Sequence, residues 1–112
     1  MKIERRTRES VEIIQLQGTM DIESFPRLKM VLAEIQAENA TRVIVNLAGV
    51  SIISSSVVGA LMNFEGELKR AGGSLILTEL SKNCLYTLEL LRLTDHFRIV
   101  NTMEEAIKAI HA

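Results

Sequence analysis

Tryptophan is absent from the chain, cysteine and proline occur once each, and aromatic residues make up only 4% of the sequence. The lone Cys84 cannot form an internal disulfide, which is typical of proteins from a reducing compartment, so we expect a cytoplasmic protein. One cysteine and two histidines are too few soft ligands for a structural zinc site. The few aromatic side chains offer no platform on which the bases of single-stranded nucleic acid could stack.

Charge is nearly balanced, with 13 lysines and arginines against 14 aspartates and glutamates. A nucleic-acid-binding domain usually carries a basic excess, so no nucleic-acid partner is expected. Hydrophobic residues make up 47% of the 112 positions, which is ordinary for a globular protein and predicts one domain over residues 1–112. The first residues contain no apolar run of the kind that a secretory signal requires, so none is expected.

The longest uncharged stretch has 22 residues, from Val43 to Phe64, which is enough to cross a bilayer. It is interrupted by Asn46, by two glycines and by the serine triplet Ser54–Ser56. Short apolar runs separated by turn-forming residues predict a buried strand, a turn and a helix, without direct insertion into a membrane.

Hydrophobic periodicity predicts alternating strands and helices along the chain. The predicted strands cover residues 2–8, 11–18, 43–47, 75–77 and 98–100, and the predicted helices cover 25–38, 56–71, a segment from 82 and a segment from 103. This order is typical of an α/β protein. We expect a single domain with a four- to five-stranded mixed sheet and about four helices packed on it.

Hydroxyl residues mark the predicted helix starts. Ser24 and Ser81 are predicted N-caps, and Thr102 with Glu105 has the spacing of a capping box. The helix after Ser81 is predicted to bury one face, formed by Cys84, Leu88 and Leu91. A basic cluster near the N-terminus is predicted to be a solvated sheet edge, where charge prevents unwanted strand pairing. It consists of Arg5, Arg6 and Arg8.

No arrangement of residues predicts an active site. His96 and His111 are separated in sequence, and neither accompanies a nucleophile motif. Gly49–Ile53 begins like a nucleophile elbow but lacks the second glycine. Gly72-Gly73 is not followed by the Lys-Ser/Thr pair of a phosphate loop. We therefore expect a protein that is not an enzyme and that holds no cofactor or metal ion.

The serine triplet Ser54–Ser56 lies where a predicted buried strand meets a predicted helix. It admits two interpretations. In the first, one serine caps the helix and the others fill the turn. In the second, one serine is phosphorylated, because free N–H groups and partial positive charge at a helix start tolerate a phosphate. The phosphate would change the charge of the surrounding surface by about −1.5 to −2.

On a helical wheel, the second predicted helix has a core side and a separate flank. The core side holds Val57, Leu61, Phe64 and Leu68. The flank holds Val58, Gly59, Met62 and Gly66, and Ser55 projects onto it. Interior glycines cost a helix up to ~1 kcal/mol each relative to alanine, so both should have a purpose. Close packing within the chain and a flat contact surface for a partner both account for them.

Four parts of the sequence resemble the STAS domain, and in particular the bacterial anti-sigma factor antagonists. They are Gly18–Asp21, the helix that starts near Pro26, Val45–Gly59, and Leu93–Phe97 with the final helix. The resemblance covers essentially the whole chain. It implies a small cytoplasmic protein, a monomer or weak dimer, that binds an anti-sigma factor and so releases a sigma factor. The anti-sigma factor is often a serine kinase, whose phosphorylation of one serine ends the binding.

The phosphoacceptor of that family lies in a segment reading Asp-Ser-Ser/Thr-Gly-Leu-Gly. Laid on this chain, the motif implies an acceptor at Ser55 rather than at Ser54 or Ser56, with Asp21 close to it. Together with the helix flank, the expected partner-binding residues are Asp21, Ser54, Ser56, Val58, Gly59, Met62 and Gly66.

Two residues depart from the family motif, since Ser54 replaces its aspartate and Val57 replaces its first glycine. The alternative function is therefore a constitutive STAS interaction module that is not phosphorylated. Such a module would be a scaffold or the soluble accessory subunit of a membrane transport complex.

Overall fold

A computed structural model describes residues 2–111, which form one five-stranded sheet and four helices. The strands are β1 (Lys2–Arg8), β2 (Val11–Met20), β3 (Arg42–Ile53), β4 (Ser74–Thr78) and β5 (Arg98–Val100). The helices are α1 (Phe25–Ala37), α2 (Ser55–Arg70), α3 (Lys82–Leu90) and α4 (Met103–His111). The predicted α/β fold with a mixed sheet is confirmed.

The strands lie in the sheet in their chain order, from β1 to β5. β1 pairs with β2 in antiparallel orientation, and all other neighbours are parallel. Glu9 and Ser10 close the hairpin with φ angles of 53° and 64°, because a two-residue turn of this kind needs positive φ at both positions. Parallel neighbours need crossover connections, which α1, α2 and α3 provide.

The two faces of the sheet are covered unequally. Helices α1, α2 and α3 pack on one face, where the larger hydrophobic core surrounds Leu32, Val45 and Leu61. Helix α4 packs on the other face, over Ile44 and Ile76. Successive residues of a strand point to opposite faces, so Ile44 and Val45 belong to different cores.

Strand β3 is longer than the predicted strand over 43–47 and continues to Ile53. Strand β2 likewise continues past its predicted end to Met20. Register shifts against β2 interrupt the alternation of β3, so its later buried residues follow each other at intervals of three. These residues are Leu47, Val50 and Ile53.

The uncharged stretch over 43–64 forms most of β3, a turn and the first half of α2, as predicted. Across residues 2–111, none of the helices combines the length and the apolar character needed to cross a membrane.

Two of the predicted helix caps are confirmed. The hydroxyl of Ser81 accepts a hydrogen bond from the N–H of Cys84 at 3.2 Å. The hydroxyl of Thr102 accepts one from the N–H of Glu105 at 3.1 Å.

The predicted capping role of Ser24 is wrong. Its backbone is already helical, and its buried hydroxyl lies 3.3 Å from the carbonyl oxygen of Thr19 and 3.2 Å from Oδ1 of Asp21. Asp21 Oδ1 instead accepts from the backbone N–H groups of Glu23 and Ser24, at 3.0 and 3.2 Å. The carboxylate four residues before α1 therefore organises the turn that leads into the helix.

The burial of Cys84 and Leu88 on α3 is confirmed, but the prediction for Leu91 is wrong. Leu91 is 41% exposed, because α3 ends at Leu90 and the chain turns away at Arg92, whose φ is 58°.

Only part of the basic cluster forms a solvated edge. Arg6 and Arg8 are exposed as predicted, whereas Arg5 lies on the face of β1 that meets α1. Arg5 forms a salt bridge with the buried Glu12 and a second one, at 2.9 Å, with Glu38, the residue that directly follows α1. The hydrogen bond to Glu38, followed by that to Glu12, raises the pKa of Arg5. In turn, the hydrogen bond from the guanidinium lowers the pKa of Glu38 below its ordinary value.

Candidate partner-binding site at the start of helix α2

The serine triplet lies at the end of the sheet where parallel strands β2 and β3 both finish. Met20 pairs with Ile53, and the N–H of Ser54 donates to the carbonyl of Met20 at 2.8 Å. The turn into α2 is thus fixed to the last residue of β2. The turn therefore lies at the carboxyl ends of two neighbouring parallel strands.

The three hydroxyls of the triplet have different environments. Ser54 is the N-cap, and its Oγ accepts from the N–H of Val57 at 3.3 Å. Oγ of Ser56 lies 3.0 Å from Oγ of Ser54, within hydrogen-bond distance. Ser55 is the first residue of α2 and is exposed. Within residues 2–111 its hydroxyl has no hydrogen-bond partner, so it is the member of the triplet most accessible to another molecule.

The start of α2 has an electrostatic character that suits an anion. Its first turn contains no acidic residue, whereas Lys69 and Arg70 lie in its last turn. The partial positive charge of the free N–H groups is therefore not neutralised by carboxylates of the helix itself. Asp21 directly follows Met20, to which Ser54 is bonded, so its backbone lies at the same turn. Its carboxylate, as described above, accepts hydrogen bonds within the turn that precedes α1.

One flank of α2 is open, and we refer to Ser55, Gly59, Met62 and Gly66 as the open flank. A Cβ atom built on Gly59 or on Gly66 would have no atom of a neighbouring element within 4 Å. Close packing within the chain therefore does not account for the two glycines. Met62 is half-buried and contacts the larger core at the edge of this flank.

The expectation that Val58 lies on this flank is wrong. Val58 is 1% exposed and belongs to the larger core. The predicted core residues of α2 are buried as expected, but the buried side is wider than one stripe and includes Glu65, which is 3% exposed. The reason lies in a distant segment, since Nε2 of His96 is 2.9 Å from Oε1 of Glu65 and Leu93 packs against the core.

Sequence reasoning also missed two exposed isoleucines at this end of the sheet. Ile22 in the turn after β2 is 72% exposed, and Ile52 at the end of β3 is 57% exposed. Ile52 pairs with Thr19 near the end of β2, and Ile22 lies two residues beyond that strand, so both are at the carboxyl ends of neighbouring strands. Strand alternation could have identified Ile52 only if the register shifts of β3 had been known.

Taken together, the fold and this turn define a small α/β domain with an exposed serine at a helix start, beside an open helix flank. A family model of the STAS domain matches residues 2–106, and the chain belongs to the STAS domain family.

Solved structures with the same fold come from several kinds of protein. A candidate anti-sigma factor antagonist from Thermotoga maritima is 21% identical, with a TM-score of 0.92 over 98% of this chain and 95% of its own. SpoIIAA, a cell fate determinant of Bacillus, in its phosphorylated form is 22% identical, with a TM-score of 0.77 over 97% and 99%. A sulfate transporter family protein from Wolinella succinogenes is 22% identical, with a TM-score of 0.79 over 95% and 88%. At these identities, the likeness establishes the shared fold.

Proposed function

We propose that this STAS domain is an anti-sigma factor antagonist. It binds an anti-sigma factor in the bacterial cytoplasm and thereby releases a sigma factor, without itself being an enzyme. The observation that carries the proposal is the exposed Ser55 at the start of α2, next to a helix flank whose two glycines have no atom of a neighbouring element among residues 2–111 within 4 Å of their Cβ positions. The resemblance of the sequence motifs to antagonists supports the same function. The likeness of the fold to SpoIIAA, which is an anti-sigma factor antagonist, supports it as well.

The partner is proposed to contact the open flank together with the serine turn and Asp21. Gly59 and Gly66 allow the backbone of a partner to approach α2 closely, because neither position carries a side chain. Ser54 and Ser56 hold the turn in shape through their hydroxyls. Val58 is not part of the proposed contact, since it is buried in the larger core.

Phosphorylation of Ser55 by a serine kinase is proposed to end the binding. A phosphate on Ser55 would face free N–H groups of the helix start, so the fold should tolerate it. In the complex, however, the same group would bring a charge of about −1.5 to −2 into a contact from which water is removed. An uncompensated buried charge of this kind is strongly unfavourable. Phosphorylation would therefore prevent binding without unfolding the domain.

Binding of the purified anti-sigma factor to three variants tests the proposal. We expect Ser55→Ala to bind like the wild type and Ser55→Asp to bind at least tenfold more weakly, which corresponds to ~1.4 kcal/mol. Asn101→Asp is the matched control, because Asn101 is exposed near the start of α4 and gains the same charge. Titration calorimetry measures the affinities. Equal affinity of Ser55→Asp and the wild type would contradict the proposal.

Incubation with the cognate kinase and ATP, followed by mass mapping, identifies the acceptor. We expect one phosphate, on Ser55. The hydroxyls of Ser54 and Ser56 lie within hydrogen-bond distance of each other, whereas that of Ser55 is exposed. Phosphate on Ser54 or Ser56 would contradict the assignment of the acceptor. Absence of phosphate from the whole triplet would favour the second candidate.

The second candidate is a constitutive STAS module, and two observations favour it. Ser54 and Val57 replace the aspartate and glycine of the family motif, and the Wolinella sulfate transporter family protein has the same fold. The module would be a scaffold or the soluble accessory subunit of a membrane transport complex, and in the latter case that complex would copurify with the chain. The affinity of the chain for its partner would change neither on addition of ATP nor in the Ser55→Asp variant.

A further inference from the structure

We infer that the groove between α1 and α2 is a binding site for a small anionic amphiphile, that is, a carboxylate or sulfonate attached to a short apolar body. The groove is about 340 Å³ in volume. This lies at the lower end of the range of about 300–1,000 Å³ in which proteins bind small molecules. The groove therefore suits a compact ligand.

The shape of the groove follows from the sizes of the side chains on the two helices. Phe25, Leu32 and Phe64 provide apolar walls, whereas Ala33 and Ala60 leave room between the helices. Leu32 and Phe64 are 4% and 2% exposed, so this part of the wall is held by the larger core. A ligand that covers the apolar walls would gain free energy by removing their surface from water.

The charge of the lining defines the ligand more closely. Lys29 is the one charged residue of the lining, and no acidic side chain contributes to it. Nζ of Lys29 lies 5.8 Å from the centre of the Phe25 ring, and among residues 2–111 it forms no salt bridge. The amides of Gln36 and Asn63 add hydrogen-bond donors. One cation and two amide donors beside apolar walls complement a single anionic group with an apolar body.

The groove shares Ser56 with the serine turn and Gly59 with the open flank, since both residues line it. A ligand in the groove would therefore alter the surface that the anti-sigma factor is proposed to contact. This regulatory consequence rests on the proposed function, whereas binding of the ligand does not. The site can be tested with the isolated protein.

Titration of the isotopically labelled protein with sodium octanoate, followed by NMR, tests the site. We expect saturable shifts of the amide signals of Leu32, Ala33 and Ala60. Octanol and octylammonium chloride are the matched probes, with the same chain but no charge or the opposite charge. We expect octanoate to bind at least tenfold more tightly than either of them. Equal affinities, or non-saturating shifts spread over the whole surface, would overturn the inference.

Two variants locate the site. Ala33→Leu places a larger side chain in the groove and should abolish octanoate binding. Lys29→Gln should remove the preference for octanoate over octanol, while Lys108→Gln, an exposed lysine on α4, should leave it unchanged. Thermal melts confirm that each variant is folded. If Ala33→Leu fails to fold, the comparison of Lys29→Gln with Lys108→Gln still tests the site. A Lys29→Gln variant that keeps the preference for octanoate over octanol would overturn the inference.

Discussion

Helices α2 and α4 lie on opposite faces of the sheet and begin with the same local device. Ser54 caps α2 by accepting from the N–H of Val57, and Thr102 caps α4 by accepting from that of Glu105. The charges around the two starts differ. The first turn of α4 contains two glutamates, and Oε2 of Glu79 accepts from the N–H of Met103 at 3.2 Å. The first turn of α2 contains no acid.

The two helix starts therefore share a hydroxyl cap but differ in the charge that surrounds the cap. The partial charge at the start of α4 is already satisfied by carboxylates, one of which comes from the end of β4. The start of α2 keeps its partial charge and has the exposed Ser55 within it. The two helices also differ along their length, because the glycines of the open flank leave α2 bare on one side. Four predictions test this contrast.

The largest effect is expected from Val58→Asp, which tests where the core of α2 ends and its open flank begins. Val58 is 1% exposed, so an aspartate there would be a buried charge without a partner. Such a charge costs roughly 3–5 kcal/mol, and the variant should be unfolded or strongly destabilised in urea titrations. Asn63→Asp, at an exposed position of the same helix, is the control and should change stability by less than ~0.5 kcal/mol. A Val58→Asp variant as stable as the wild type would show that Val58 belongs to the open flank and not to the core.

The next effect concerns the carboxylate that serves the start of α4. Glu79→Ala removes the acceptor of the Met103 N–H and of Nδ2 of Asn46, which is 3.3 Å from Oε2. Leaving partly buried donors unsatisfied should lower the free energy of unfolding by about 1–3 kcal/mol. Glu79→Gln keeps one acceptor oxygen and should recover part of the loss. If Glu79→Ala leaves the free energy of unfolding unchanged, the carboxylate of Glu79 does not stabilise the start of α4, and the contrast with α2 fails.

A smaller effect compares the two caps directly. Ser54→Ala should lower stability by ~1 kcal/mol, as is usual for the loss of an N-cap. Thr102→Ala should cost less, because Glu79 still accepts from the first N–H of α4. The difference between the two free energies of unfolding is the quantity to measure. In the Glu79→Ala background, Thr102→Ala should become more costly, and an unchanged cost would contradict the role assigned to Glu79.

The smallest effect is expected from a charge at the start of α2. Ser55→Asp should raise the free energy of unfolding by ~0.3–1 kcal/mol at low salt, since a negative charge favours a helix start. Ser55→Asn is the neutral control of similar size. Salt should reduce the gain, because screening weakens interactions between exposed charges. A clear destabilisation by Ser55→Asp would indicate that phosphate at this position is not tolerated by the fold.

Much of the fold could be predicted because the relevant forces are local. The hairpin, the caps at Ser81 and Thr102, and the strand, turn and helix over 43–64 depend on residues that are close in sequence. The likeness of the serine motif to the STAS family also lies in a continuous segment. The bounds of β3 were less accessible, since they depend on register shifts against β2.

The candidate site was predicted only in part. Sequence reasoning placed the serine triplet at a helix start and the two glycines on a flank separate from the core side, and both features are present in the structure. Whether that flank packs within the chain was left open, and the structure shows no neighbouring element at either glycine. It assigned Val58 to the wrong side, because a wheel describes directions around one helix and not the elements that pack against it. The groove beside Lys29 was not foreseen, since it is formed jointly by two helices.

The sequence by itself determined the order of the elements, the helix starts and the position of Ser55 at one of them, because hydrophobic period and capping act over a few residues. The tertiary structure alone decided how much of each helix is buried and which charges meet. Glu65 is covered where His96 packs against it, and Glu79 reaches Met103 from another element. Burial and pairing depend on atoms that arrive from distant parts of the chain, and only the folded arrangement of the elements brings those atoms together.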